Sequence, residues 1–160
     1  MYSPLHAAAG LLLAQAMPDP VTAFAAGAAS HYLLDAFPHG DTGLGEWLAG
    51  GHSARRIATV ESVDLGLAAI VVLALIAGHP SQGWIKLVAG AGGGITPDLF
   101  WGGRLLLDRA GWRIPLLTSF LHRHDRWHSW GHAKHFYDVP FAVGLVIQAV
   151  LLSLVLFLHV

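Results

Sequence analysis

The stretch His31-Tyr-Leu-Leu-Asp35-Ala-Phe-Pro-His39-Gly-Asp41 closes an otherwise apolar segment with the residue types that ligate metals. Between Val21 and Leu34, His31 is the only imidazole or charged side chain. Asp35 follows it by four residues, so a helix would carry both on one face. Pro38 ends that helix and swings His39 and Asp41 back towards the same pocket. Imidazole with carboxylate suits divalent ions of intermediate hardness. Such groups are costly at the edge of a hydrophobic helix, which points to a site. The plainer reading is a polar helix C-terminus, with His39 and Asp41 solvated.

A second cluster packs five histidines into the fourteen residues His122–His135. His124 and His128 are four apart, as are His128 and His132. Imidazoles at that spacing can share a metal, and a nearby acid can orient a ring through its other nitrogen. Histidine, tryptophan and arginine also favour a membrane headgroup layer, the better account of His132 and His135. His122 and His128 are taken as functional, with Arg123, Arg126 or Arg104 to neutralise a phosphate.

Three acids complete the set. Glu61 and Asp64 lie one turn apart at a helix start, where the dipole alone favours carboxylates. Asp64 lies deeper in the apolar run and is the better ligand. Asp98 follows Pro97 at the end of a glycine-rich helix, an uncommon place for an idle acid. His6 starts the first apolar segment. The expected metal ligands are therefore His6, His31, Asp35, His39, Asp64, Asp98 and His128; the expected catalytic residues are Asp41, His122 and Arg123. His52, His79 and His159 have no acidic neighbour in sequence and are read as bland.

The elements that must position these residues are membrane helices. The chain of 160 residues is 54% hydrophobic and only 12% charged, about half the charged share of a soluble domain. Val139 to Val160 holds no Asp, Glu, Lys or Arg, and about 20 residues suffice to cross a bilayer. Leu65 to Ile85 is a second such block. The expected fold is all-α, a polytopic membrane bundle of about five transmembrane or re-entrant helices in one integral membrane domain, residues 1–160. These helices are Leu5–Met17, Pro20–Phe37, Ala58–Gly78, Trp84–Phe100 and Tyr137–His159, with a long polar loop from Gly102 to Lys134. The first two are short, so a tilted or re-entrant hairpin fits them. Ala14-Gln15-Ala16 resembles a cleavage site, but no Lys or Arg precedes the apolar run, so residues 1–17 are expected to be retained.

With five crossings, Arg55, Arg56, Arg104, Arg109, Arg113, Arg123, Arg126 and Lys134 fall on one side, with Lys86 near the other. The basic side is then cytoplasmic, and the N-terminus with it, in an inner (cell) membrane. Every expected ligand reaches that same face, although the topology used only apolar runs and basic residues. A net charge of −1 and the lack of a basic stripe exclude nucleic acid as an expected partner. No cysteine is present, so thiolate ligands are excluded.

Ser30-His-Tyr-Leu-Leu-Asp35-Ala-Phe-Pro-His39-Gly-Asp41, the Thr96-Pro-Asp98 turn, and His122-Arg123 with His128-Ser129 resemble the YdjM-like group of membrane-bound metal-dependent hydrolases. Two departures stand out. Position 100 is Phe where the group's Pro-Asp-x-Asp has a second acid, and Trp127 precedes His128-Ser129 where Thr is expected. The order of the motifs also looks rearranged. The resemblance implies a hydrolase and leaves the substrate open.

Histidine and carboxylate donors suit Zn²⁺, Mn²⁺ or Fe²⁺, zinc or manganese above all, and more than four candidates leave room for two ions. The expected activity is metal-dependent phosphoester hydrolysis on a membrane lipid or lipid-linked phosphate, with a second copy of the chain as a further partner. Two rivals remain. A histidine-box di-iron oxidase is favoured by the His124–His128 spacing and weakened by the lack of any adjacent His-His pair. A non-enzymatic metal-binding or transport protein would place its polar groups near the bilayer midplane.

Overall fold

Pro18-Asp19-Pro20 cannot continue a helix, and the Asp19 carboxylate instead accepts hydrogen bonds from the Val21 and Thr22 amides at 2.8 and 3.0 Å, opening the next one. Punctuation of this kind divides the chain into helices throughout. The computed structural model describes residues 2–40, 42–50, 53–78, 83–135 and 139–159, and among these no strand occurs. Seven helices are formed among them: α1 (Ser3–Ala16), α2 (Pro20–Leu34), α3 (Thr42–Ala49), α4 (Ala54–Gly78), α5 (Trp84–Ala110), α6 (Pro115–His135) and α7 (Phe141–His159). Gly111, at φ 69°, stops α5 in the left-handed conformation that glycine adopts at no steric cost.

The expected loop from Gly102 to Lys134 is corrected. α5 runs ten residues past Phe100, and α6 takes up most of the remainder. The segment is polar but regular: Arg104 pairs with Asp108 one turn on at 3.1 Å, and no proline or glycine interrupts residues 116–130. Between Asp41 and α4 the chain also forms the short α3.

α1 and α2 form an antiparallel hairpin, and α5 crosses both. At the crossing the helices meet backbone to backbone. A Cβ added to Gly10 or Gly27 would strike the Gly90 carbonyl, one on Gly93 the Phe24 carbonyl, and one on Gly94 the His6 carbonyl. Small residues that let backbones touch are the usual means of packing helices where no water is available to drive them together. α4 and α7 flank α1, with Ala68 and Leu75 buried against Ala7, Leu11 and Ala14, and Leu152 and Val155 beside them.

Among the described residues, two helices are long and apolar enough to cross a membrane: α4, and α7 over Phe141–Leu158. Only 11% of each apolar window is buried, so neither is the core helix of a soluble domain. Ile70 and Leu73 on α4 and Val146, Val150 and Phe157 on α7 stand exposed. α1 and α2, at 14 and 15 residues, reach about 21–23 Å, short of the roughly 30 Å hydrocarbon layer. α5 is long enough but carries Lys86, Asp98, Arg104, Asp108 and Arg109. Of the five expected crossings, only these two have candidate spans among the described residues.

Lys86 closes the hairpin end of the bundle. Its ammonium donates to the Gln15 and Met17 carbonyls at 3.1 and 2.9 Å, satisfying acceptors that the end of α1 leaves open. Lys86→Met should cost about 1–2 kcal/mol, read as a lower midpoint of thermal unfolding in detergent.

Candidate metal centre

At the opposite end of the hairpin, four helices bring five ionisable side chains together. His6 comes from the first turns of α1, His31 from the last turn of α2, Asp35 from its cap, Asp98 from α5 and His128 from α6. His31 and Asp35 share a face as their spacing requires, with Nε2 3.0 Å from Oδ2. His128 Nε2 lies 3.3 Å from the same oxygen and 3.2 Å from His31 Nε2. These three donors form a triangle with edges of 3.0–3.3 Å. Ligands of a tetrahedral ion with bonds of about 2.1 Å stand roughly 3.4 Å apart. A second, overlapping triad consists of His6, His31 and Asp98. Either group can hold a metal ion.

His31 is oriented from behind. Its Nδ1 lies 2.8 Å from the Gly94 carbonyl, which can only accept, so Nδ1 carries the proton. In the neutral ring Nε2 then turns its lone pair to Asp35, Asp98 and His128, the usual posture of a ligating imidazole with its other nitrogen on a carbonyl. A lone pair aimed at two carboxylates calls for a cation or an added proton between them.

His6 is fully buried and stacks on His31 at 4.0 Å. Its Nε2 lies 3.2 Å from Asp35 Oδ1, yet neither ring nitrogen makes an aligned hydrogen bond. A buried imidazole rarely stays unsatisfied unless something else takes its lone pair. Asp98, with a quarter of its side chain exposed, is the side of the cluster open to solvent.

The other expected residues belong to neither triad among the described residues. His39 is buried in the turn after α2, where Nδ1 donates to the Phe37 carbonyl at 2.7 Å and its own carbonyl accepts from Gln148 at 2.8 Å. It belongs to neither triad. The left-handed Gly40 beside it packs this turn on Gly144 of α7, which holds it off the cluster. Asp64 accepts from the Ser3 amide at 3.0 Å and serves as a cap for α1. His122 pairs with Asp108 at 3.3 Å, and Arg104 Nε with Asp125 at 3.3 Å; both bonds tie α6 to α5. Arg123 is exposed on α6. Asp41 lies outside the described residues.

Two neighbours stand outside the expected ligand and catalytic sets. His124 stacks over His128 with ring centres 5.7 Å apart, and the Tyr32 hydroxyl lies 3.2 Å from its Nε2. The four-residue spacing was a usable signal for His124; nothing marked Tyr32. Burial first, then the neighbouring His128 and His31 imidazoles as they take up protons, hold the His124 imidazole below its ordinary 6.5. The folded helix therefore keeps the ring neutral, while the unfolded chain takes up a proton first as pH falls. Docking of α6 should be complete above pH 6.5 and weaken below it. Hydrogen exchange across α6 should accelerate from pH 6.5 to about 5, and His124→Phe should flatten that response.

Comparison with known proteins finds no matching family model, no matching curated protein and no matching solved structure, so the YdjM-like resemblance rests on the residues quoted for it.

Proposed function

We propose that this chain is a membrane-embedded, metal-dependent hydrolase that cleaves a phosphoester of a lipid-type substrate at the cytoplasmic face of the cell membrane. The observation that carries the reading is His31, its Nδ1 spent on the Gly94 carbonyl and its Nε2 set in a triangle of ligand dimensions with Asp35 and His128. Zinc or manganese suits this sulfur-free donor set. A bound divalent ion brings the pKa of its water near neutrality and polarises phosphoryl oxygens. Asp98, the partly exposed acid, marks the side from which substrate would enter.

The lipid assignment draws on the surface. α6 and its approach expose Trp112, Leu116, Phe120 and Trp127 together with Arg113, Arg123 and Arg126, a composition suited to an anionic headgroup layer. Arg123 and Arg126 are the guanidinium groups for a substrate phosphate, since Arg104 is engaged by Asp108 and Asp125. On this reading α4 and α7 span fully, α1, α2 and α5 complete a five-membered bundle, and the basic loops face the cytoplasm. The donors gather at one end of the α1–α2 hairpin, which favours interfacial chemistry over transport.

Elemental analysis of detergent-purified protein, with phosphate release from phosphoester lipids in mixed micelles, tests the proposal. Bound zinc or manganese is expected, lost together with hydrolysis in His31→Ala. Bound iron with oxygen consumption would replace hydrolysis by the oxidase reading, and hydrolysis that survives chelation would overturn the metal role.

A further inference from the structure

We infer that the centre holds two divalent ions bridged by both of its carboxylates, one ion carried by His6 and the other by His31 with His128. This rests on the metal-dependent reading above.

The argument lies in how the two acids divide their oxygens. Asp35 turns Oδ1 to His6, at 3.2 Å, and Oδ2 to His31 and His128, at 3.0 and 3.3 Å. Asp98 repeats the division, with Oδ2 towards His6 at 3.9 Å and Oδ1 towards His31 at 3.6 Å. An acid serving one ion has no reason to split its oxygens between two imidazoles, and here two acids split them the same way. The His6 and His31 rings lie nearly parallel, 27° apart in plane with centres 4.0 Å apart. Both present Nε2 to the same pair of acids. Parallel imidazoles at that spacing hold their ions at about the 3.5–4 Å separation of two-metal sites.

The overlapping triads cannot each take an ion as they stand, because both require His31. Its Nδ1 is committed to Gly94, and Nε2 has one lone pair. Division by oxygen removes the conflict. The first ion takes His6 Nε2, Asp35 Oδ1 and Asp98 Oδ2; the second takes His31 Nε2, His128 Nε2, Asp35 Oδ2 and Asp98 Oδ1. A single ion at the His31 triangle would leave the lone pair of fully buried His6 Nε2 against the Asp35 and Asp98 carboxylates, at 3.2 and 3.9 Å, with no aligned hydrogen bond. Two dications against two carboxylates and three neutral imidazoles leave an excess of two positive charges. That excess suits a hydroxide and an anionic phosphoester oxygen bound together, the pair an in-line displacement needs.

The test is Mn²⁺ alone, added to metal-stripped, detergent-solubilised full chain, with binding stoichiometry and electron paramagnetic resonance as readouts. Two ions per chain with a spin-coupled spectrum are expected. His6→Gln should retain one ion, with the hyperfine-resolved spectrum of isolated manganese. One uncoupled ion per wild-type chain overturns the two-ion assignment and leaves the metal-dependent reading standing; no bound ion overturns both. Two coupled ions persisting in His6→Gln also overturn it. Circular dichroism checks that the variant is folded, and the wild-type spectrum decides the question should it not be.

Discussion

Asp35→Asn should weaken metal binding by more than about 100-fold and take hydrolysis to background, while the protein remains helical. Loss of an outer partner that merely orients a ligand costs 10–100-fold. Asp35 is more than that. Its two oxygens lie within 3.0–3.3 Å of three imidazoles, and its side chain is almost wholly buried. Asparagine keeps the shape, removes the charge, and puts an amide where one of two anionic donors stood. The three rings are then left facing one another with less negative charge to hold a dication among them. Titration with Zn²⁺ against a competing chelator measures the affinity, and circular dichroism separates this loss from unfolding. An affinity within about tenfold of wild type would remove Asp35 from the donor set.

The largest effect on folding is expected at Gly90. A Cβ there would meet the Gly10 carbonyl and stand 2.6 Å from the Ala14 Cβ, and on the other two helices Gly10 and Gly27 both press on Gly90. Backbone on either side has nowhere to go, because moving α1 away from α5 also separates α5 from α2. Gly90→Val should cost more than about 4 kcal/mol, enough to abolish a folded, monodisperse protein in detergent. At Gly92, two residues on, an added methyl group would meet nothing within 4 Å. Gly92→Ala should be neutral or stabilising by up to about 1 kcal/mol, through helix propensity alone. Equal losses at the two positions would mean the crossing is not where the stability lies.

The contrast between these glycines explains what could be read in the sequence. A run of glycines such as Gly90–Gly94 suits close helix packing, but it does not say which glycines touch, since that depends on the angle at which three helices cross. His31 and Asp35 were legible because a helix fixes their relation within a single turn. His6, Asp98 and His128 were legible as polar residues in costly places, and the topology sent them to one end. His39 and Asp64 met the same criteria, yet they cap backbone groups instead. A carboxylate near a helix start serves equally as cap or ligand, and spacing does not separate the two. The helical content of 102–134 escaped because a polar segment need not be an irregular one: Arg104 and Asp108 pair within the helix, and Asp125 and His122 pair across to it. Tyr32 faces a partner 92 residues away and carried no local mark.

The three-way glycine crossing has a further consequence for how a cation would come and go. His6, His31 and Asp98 sit on helices whose backbones interlock, and Asp35 caps one of them, so these four donors form a socket that cannot open without dismantling the bundle. His128 alone arrives on α6, held to α5 by the ion pairs of Arg104 and Asp108 and by the edge contacts of Phe100 with Phe120 and His124. The assembly is therefore a vice with one moving jaw. If the proposed centre binds a cation, its exchange would need only the swing of this one helix, and its rate would follow the ion pairs that hold α6 to α5.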